Sequence, residues 1–301
     1  MKRQFQAEQI SAAEKKGYFH IVLLADPHFP GRITSKKEEV LKRIATWEDV
    51  DFAVILGDLC EISGTPSEYK SAAHFLDMLQ KPFFPISGNH DCFFSNYFSP
   101  ASPSDREKKI QLFMETFQLP QMFDEIELPN QNLFFLSVDS LTSHYYTAIS
   151  EPQLDWFEER LKKCKKPAIV FFHSPVFDEK FLKMAPFLEN YTAQPYSRVT
   201  KIVRENPQIN LWVSGHIHLA PTNPFFFHDS TFFEGRRLNL FNCDISGMSI
   251  FVGAGPSLEN HGKFWTQSLF LYPDKAISRF FYHGTEQWIE NWTRNFPLKN
   301  I

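Results

Sequence analysis

With 301 residues, 35.2 kDa and a hydrophobic share of 43%, the chain can bury a sizeable core as one large domain or two small ones. A formal net charge of −4 without a basic stripe excludes a general polyanion binder and argues against nucleic acid as a partner. Its 33 phenylalanines predict a markedly aromatic core.

The first segment, Met1–Tyr18, is polar and charged and offers no apolar stretch suited to secretion or membrane spanning. The cysteines Cys60, Cys92, Cys164 and Cys243 are widely spaced and form no C-x-x-C pair. Together these features predict a cytoplasmic protein with reduced thiols and no membrane span. Ile21–Ala25 is a short apolar run that reads as a buried strand, and Asp26-Pro27-His28 follows it directly. Lys36–Trp47 carries Val40, Leu41, Ile44 and Trp47 at helical spacing. Ala53–Leu56 reads as a second strand, ending in Gly57-Asp58. Pro66–Leu79 reads as a helix with proline in its first turn, where a missing N–H costs little. Phe83–Ile86 is a third strand, trailed by Gly88-Asn89-His90-Asp91.

Arg106–Phe117 and Gln153–Lys163 continue the helical spacing, the latter preceded by Pro152. Ala168–Phe172 is a strand that runs into His173-Ser174-Pro175. Arg198–Arg204 is a short helix, and Leu211–Val213 leads to Gly215-His216-Ile217-His218. From Phe225 to Ile301 the pattern turns to short strand-like runs: Leu238–Asn242, Ser249–Phe251, Gln267–Leu271 and Ile277–Tyr282. Two connections, Cys92–Pro103 and Val176–Pro195, are long and apolar. The first holds Phe93, Phe94, Tyr97 and Phe98, the second Phe181, Leu182, Met184, Phe187, Leu188 and Tyr191. Each follows a polar block and is expected either to overhang a site or to pack on a flank or homodimer contact.

Alternating strands and helices imply partly parallel sheets covered on both faces. Every polar block sits where a strand ends, which is where ligands bind in open α/β sheets. Two carboxylates, one amide and five imidazoles therefore converge on one edge, a set suited to hard and borderline metal ions. Asp26 and His28 are two residues apart, so one turn can aim both at a single ion. An isolated strand-end aspartate is more often a turn residue; the other blocks outweigh that reading here. His20, His74, His144, His228, His261 and His283 belong to no block and read as ordinary hydrogen-bonding residues, His144 and His228 being the two in polar loops.

The ordered set Asp-x-His, Gly-Asp, Gly-Asn-His-Asp, His-x-Pro and Gly-His-x-His resembles the calcineurin-like metallophosphoesterase superfamily. The stretch Leu133–Leu161, with Glu151-Pro152-Gln153-Leu154-Asp155-Trp156 leading into a helix, is similar to the branch related to class III cyclic-nucleotide phosphodiesterases. The resemblance implies a four-layer α/β sandwich, two mixed sheets flanked by helices. It also implies one domain over residues 1–301, with a motif core over 18–220 and the strands of 225–301 completing the second sheet. Asp26 and His28 would ligate a first metal, Asp58 would bridge, and Asn89 and His173 would ligate a second. His216 would go to the second metal and His218 to the first. His90 would stand near the leaving-group oxygen, oriented by Glu61, which occupies a position where relatives often carry Asp. His-Ser-Pro-Val also departs from the relatives' His-His-Pro-Pro, keeping the ligand and losing a neighbouring imidazole.

The implied activity is hydrolysis of a phosphodiester or phosphomonoester by attack of a metal-bridging hydroxide, with two divalent ions (Mn, Fe or Zn) as cofactors and a small phosphate ester as substrate. The alternatives are a pyrophosphohydrolase acting on a nucleotide-linked lipid precursor and a catalytically silent scaffold. The net acidity disfavours a nuclease.

Overall fold

The structure is a computed structural model that describes residues 7–31, 33–97, 99–184, 186–218, 221, 233–243, 250–251, 255–256 and 264–299. Arg32, Phe98, His228, Ser249 and His261 lie outside these residues, as do the side chains of Phe181 and Met184. In chain order the elements begin with α1 (Ala7–Lys16), β1 (Phe19–Leu24), α2 (Thr34–Ala45), β2 (Phe52–Leu56), α3 (Pro66–Asp77) and β3 (Phe83–Ile86). A single helical turn α4 (Asn89–Cys92), a small hairpin β4 (Phe94–Asn96) and β5 (Ser99–Pro100), and α5 (Pro103–Phe117) follow. Next come β6 (Asp124–Glu127), β7 (Asn132–Phe135), α6 (Glu151–Lys163), β8 (Ala168–Phe171), α7 (Glu179–Met184), α8 (Tyr196–Glu205) and β9 (Ile209–Ser214). The chain then forms β10 (Asn239–Phe241), β11 (Ile250–Phe251), β12 (Gly255–Pro256), β13 (Trp265–Leu271), β14 (Lys275–Tyr282), β15 (Gln287–Trp288) and β16 (Arg294–Pro297).

Two mixed sheets carry the molecule. One runs β15-β14-β13-β1-β2-β3, with β16 paired to β14; the other runs β10-β9-β8-β7-β6. The neighbours β1, β2 and β3 are parallel, as are β7, β8, β9 and β10. Strict alternation along each strand builds the layers, because successive side chains point to opposite faces. Ile21 and Leu23 of β1, Val54 of β2, Leu133 of β7, Ile169 of β8 and Leu211 of β9 meet between the sheets. Val22 and Ile55 face outward onto Leu41 of α2, Phe75 of α3 and Phe113 of α5. On the far side Phe134, Val170 and Trp212 pack on Phe157 of α6 and Val203 of α8. Helix, sheet, sheet and helix thus make four layers. Truncating a fully buried ring such as Phe113 to alanine would cost on the order of 3–5 kcal/mol.

The C-terminal strands depart from expectation. Among the described residues of 225–301, only β10 joins the second sheet; β13 pairs antiparallel with β1 and brings β14, β15 and β16 into the first. Both sheets present apolar faces to one shared core, so a buried run carries no local mark of which sheet it will join. Ile250–Phe251 pairs with Gly255–Pro256 apart from both sheets. Helix α1 was also unforeseen, since its contact with the core rests on Ala13 and Ile10 alone among the described residues. No helix among the described residues is long and apolar enough to cross a membrane.

Candidate metal centre

The polar blocks all emerge at the carboxyl ends of parallel strands: Asp26 and His28 after β1, Asp58 after β2, Asn89 and His90 after β3, His173 after β8, and His216 and His218 after β9. Asp26, His28, Asp58, His216 and His218 have φ of 50°, 46°, 51°, 67° and 47°. That left-handed region costs a non-glycine residue roughly 1–3 kcal/mol, and such residues cluster where function over-determines the backbone. Glycines make room between the turns. Gly57 has φ +86°, and a Cβ on Gly88 would lie 2.8 Å from the His173 ring and inside the Asp58 side chain.

Two sets of ligand atoms result, each lying within 4.8 Å of one another: Asp26, His28, Asp58 and His218, and Asp58, His173 and His216. Asp58 belongs to both. Its Oδ2 is 3.8 Å from His28 Nε2 and 3.4 Å from His173 Nε2. Asp26 Oδ1 lies 3.6 Å from His218 Nε2, and Asn89 Oδ1 lies 2.9 Å from His173 Nε2. Asp26, Asp58 and His173 are at most 1% exposed.

Backbone carbonyls fix which imidazole nitrogen is free. His28 Nδ1 donates to Cys60 O at 3.2 Å, His173 Nδ1 to Leu56 O at 2.8 Å, and His216 Nε2 to Asn190 O at 3.1 Å. The opposite nitrogen of each ring is the one that a cation would take, the usual role of such outer contacts in metal sites. Burial alone would raise the Asp58 carboxyl, yet His173, His90 and His28 outweigh it and hold it well below the ordinary range. Burial would lower His173, but Asp58 draws it up to about 9. His216 is pushed well below 6.5 by burial and by His173, so it stays neutral.

His90 does not touch its expected partner. Its backbone N–H donates to Asp58 Oδ1 at 2.8 Å, and its Nδ1 meets Ile62 O at 3.1 Å. Glu61 accepts instead from Tyr97 Oη at 3.4 Å, so no His90–Glu61 hydrogen bond forms. The Glu61–Gly64 segment is an irregular turn rather than a helix, so no regular spacing brings the Glu61 and His90 side chains together. Glu68 holds the segment that His90 meets, its Oε1 accepting the Ile62 N–H at 2.6 Å. Sequence reasoning missed it, although Thr65-Pro66-Ser67-Glu68 has the spacing of a capping box. Asp91 fixes the loop by accepting from Gly88 N, Cys60 N and Leu59 N at 2.8, 2.9 and 3.2 Å. Burial and the Asp58 charge raise its carboxyl to about 7. Burial also raises the Cys60 and Cys92 thiols, which suits packing residues.

The long connections do frame the centre. Phe94 and Tyr97 approach His90 at 5.2 and 6.2 Å between ring centroids, and Tyr191 approaches His216 at 5.2 Å.

The donor chemistry fits a pair of cations. His28 Nε2 and His218 Nε2 face each other at 3.4 Å, with His28 Nδ1 already committed to a carbonyl. Carboxylate, amide and imidazole together suit divalent ions. A relative from Nostoc, a 3',5'-cyclic-nucleotide phosphodiesterase, is 25% identical over 60% of this chain and 60% of its own length. The fold is similar to that of a dimetal phosphatase from Danio rerio, at 14% identity and TM-score 0.56 over 93% of this chain and 99% of that one. It is also similar to the anchor protein GAP50 of Plasmodium, at 14% identity and TM-score 0.58 over 94% and 90%. The family model of the calcineurin-like phosphoesterases matches residues 19–220, which include all five polar blocks. The chain belongs to the calcineurin-like phosphoesterase family.

Proposed function

We propose that the protein is a binuclear metal-dependent phosphoesterase that hydrolyses a phosphodiester in preference to a phosphomonoester. The observation that carries this reading is the shared position of Asp58, one buried carboxylate within reach of both ligand sets. Asp26, His28, Asp58 and His218 would hold one ion; Asp58, Asn89, His173 and His216 would hold the other. When bound, a pair of divalent ions supplies a nucleophile active near neutral pH and positive charge facing the phosphoryl oxygens. The protein's own part is orientation and proton supply. Three carbonyls lock the imidazoles, and Asp58 ties the His90 backbone to the centre. His90, whose Nδ1–H is committed to Ile62 O, would donate its Nε2 proton to the leaving oxygen from the doubly protonated imidazolium and keep the Nδ1–H. Core residues from Ala13 to Leu298 share the layer between the sheets, which supports one catalytic domain over the whole chain.

The preference for a diester is supported by the Nostoc relative's name. A second reading, a pyrophosphohydrolase for a nucleotide-linked lipid precursor, is favoured by the exposure of Tyr97 (48%) and Phe187 (64%) on the two long connections. A silent scaffold is disfavoured by the completeness of both ligand sets.

The test is hydrolysis of bis(p-nitrophenyl) phosphate by manganese-loaded protein beside Asp58→Asn. Wild type is expected to turn over and the variant to lose activity while staying folded. Full activity in Asp58→Asn overturns the shared-ligand assignment. Preference for the monoester p-nitrophenyl phosphate overturns the diester reading, and acyl-chain dependence supports the second one.

A further inference from the structure

A second cavity opens far from the metal centre, beside the amino ends of β1 and β2, with a volume of about 490 Å³. Small-molecule sites typically span about 300–1,000 Å³. Its walls are aromatic: Tyr18 lies 5.5 Å from Tyr272, and Trp47 lies 5.5 Å from Trp288, between ring centroids. Two opposite charges enter the same space, Asp49 and Arg279.

Each charge is only partly satisfied. Asp49 Oδ2 lies 3.0 Å from His20 Nδ1 and 3.5 Å from Tyr18 Oη, and the carboxylate also accepts from its own backbone N–H; among the described residues no other side chain donates to Oδ1. Arg279 gives Nη2 to Glu290 at 2.6 Å and lies 4.7 Å over the Trp288 ring, and among the described residues its other N–H donors meet no acceptor. The side chains of Asp49 and Arg279 are 43% and 31% exposed, so both are open to a ligand.

This combination favours a ligand that carries both a donor and an acceptor. A cation would be repelled by Arg279, an anion by Asp49, and an aliphatic chain would leave both unmet. A neutral flat ring with a donor edge and an acceptor edge satisfies both and stacks on the walls, since every base has a π-face. Guanine has that arrangement: N1–H and the N2 amino group donate to a carboxylate, while O6 and N7 accept from a guanidinium. We propose that this cavity is a guanine-binding site, separate from the metal centre. The inference does not depend on the reaction proposed above.

Trp47 and Trp288 make binding visible as quenching of tryptophan emission. Titrating the full chain with guanosine, adenosine and cytidine is expected to give a saturable quench for guanosine, with adenosine and cytidine at least tenfold weaker. Asp49→Asn and Arg279→Gln should each raise the guanosine Kd at least tenfold, with circular dichroism and diester hydrolysis unchanged. Trp288→Phe should remove much of the signal. No saturation up to millimolar guanosine, equal response to the three nucleosides, or an unchanged response in Asp49→Asn would overturn the proposal.

Discussion

His90 is held by groups that do not depend on an ion: Ile62 O at its Nδ1 and Asp58 Oδ1 at its backbone N–H. Removing the ring should therefore leave both ligand sets intact. His90→Ala is expected to lower kcat by about 10²–10⁴-fold, the usual weight of a general acid, while elemental analysis still finds two ions per chain. Loss of one ion would instead move His90 into the ligand set. The seven candidate ligand positions stand out in the sequence because each sits in a polar block just past an apolar run. The left-handed backbone at five of them was not, since a strand-end aspartate or histidine gives no local sign of its φ. Glu61 misled for a related reason: standing where relatives often carry Asp says nothing of the direction in which an irregular turn points a side chain.

At the next scale, α3 couples helix capping to the site. Thr65 caps the helix, and Glu68 closes the capping box. The same Glu68 holds the N–H of Ile62, the residue whose carbonyl meets His90. Glu68→Ala should cost about 1 kcal/mol of stability and lower kcat by roughly tenfold through the freed Ile62 segment. Ion content and KM should stay near wild type, and Glu68→Gln should recover part of the loss. An effect on stability alone would reduce Glu68 to a cap. The five central helices were predictable from spacing, their structural ends falling within three residues of expectation, because a buried stripe repeats every three or four positions. Sheet membership of β13 and β14 was not, because pairing with β1 spans about 250 residues of sequence and leaves no trace in either strand alone.

For the molecule as a whole, acid sensitivity should arise partly away from the metals. Burial, then Arg43, lowers His283 from 6.5 to about 4, and its Nε2 meets Thr266 Oγ1 at 2.6 Å. A depressed histidine contributes stability that is fully present above pH 6.5 and is lost as the pH falls through about 4. The loss should be on the order of 3 kcal/mol. Denaturant melts between pH 7 and 4 should show wild type losing more stability than His283→Asn; parallel curves would refute the assignment.

The ligands also have a mechanical consequence. Asp26, His28, Asp58 and Asn89 leave the ends of the seven-stranded sheet, whereas His173, His216 and His218 leave the ends of the five-stranded one. Ions held by these candidate ligands would act as a clasp across two leaves that otherwise adhere mainly through apolar contact. Chelation should let the leaves part at that rim alone. Amide hydrogen exchange would quicken at the last residues of β2, β8 and β9, while the β13–β14 hairpin keeps its protection; uniform loosening would mean that the ions brace the entire core rather than its open edge.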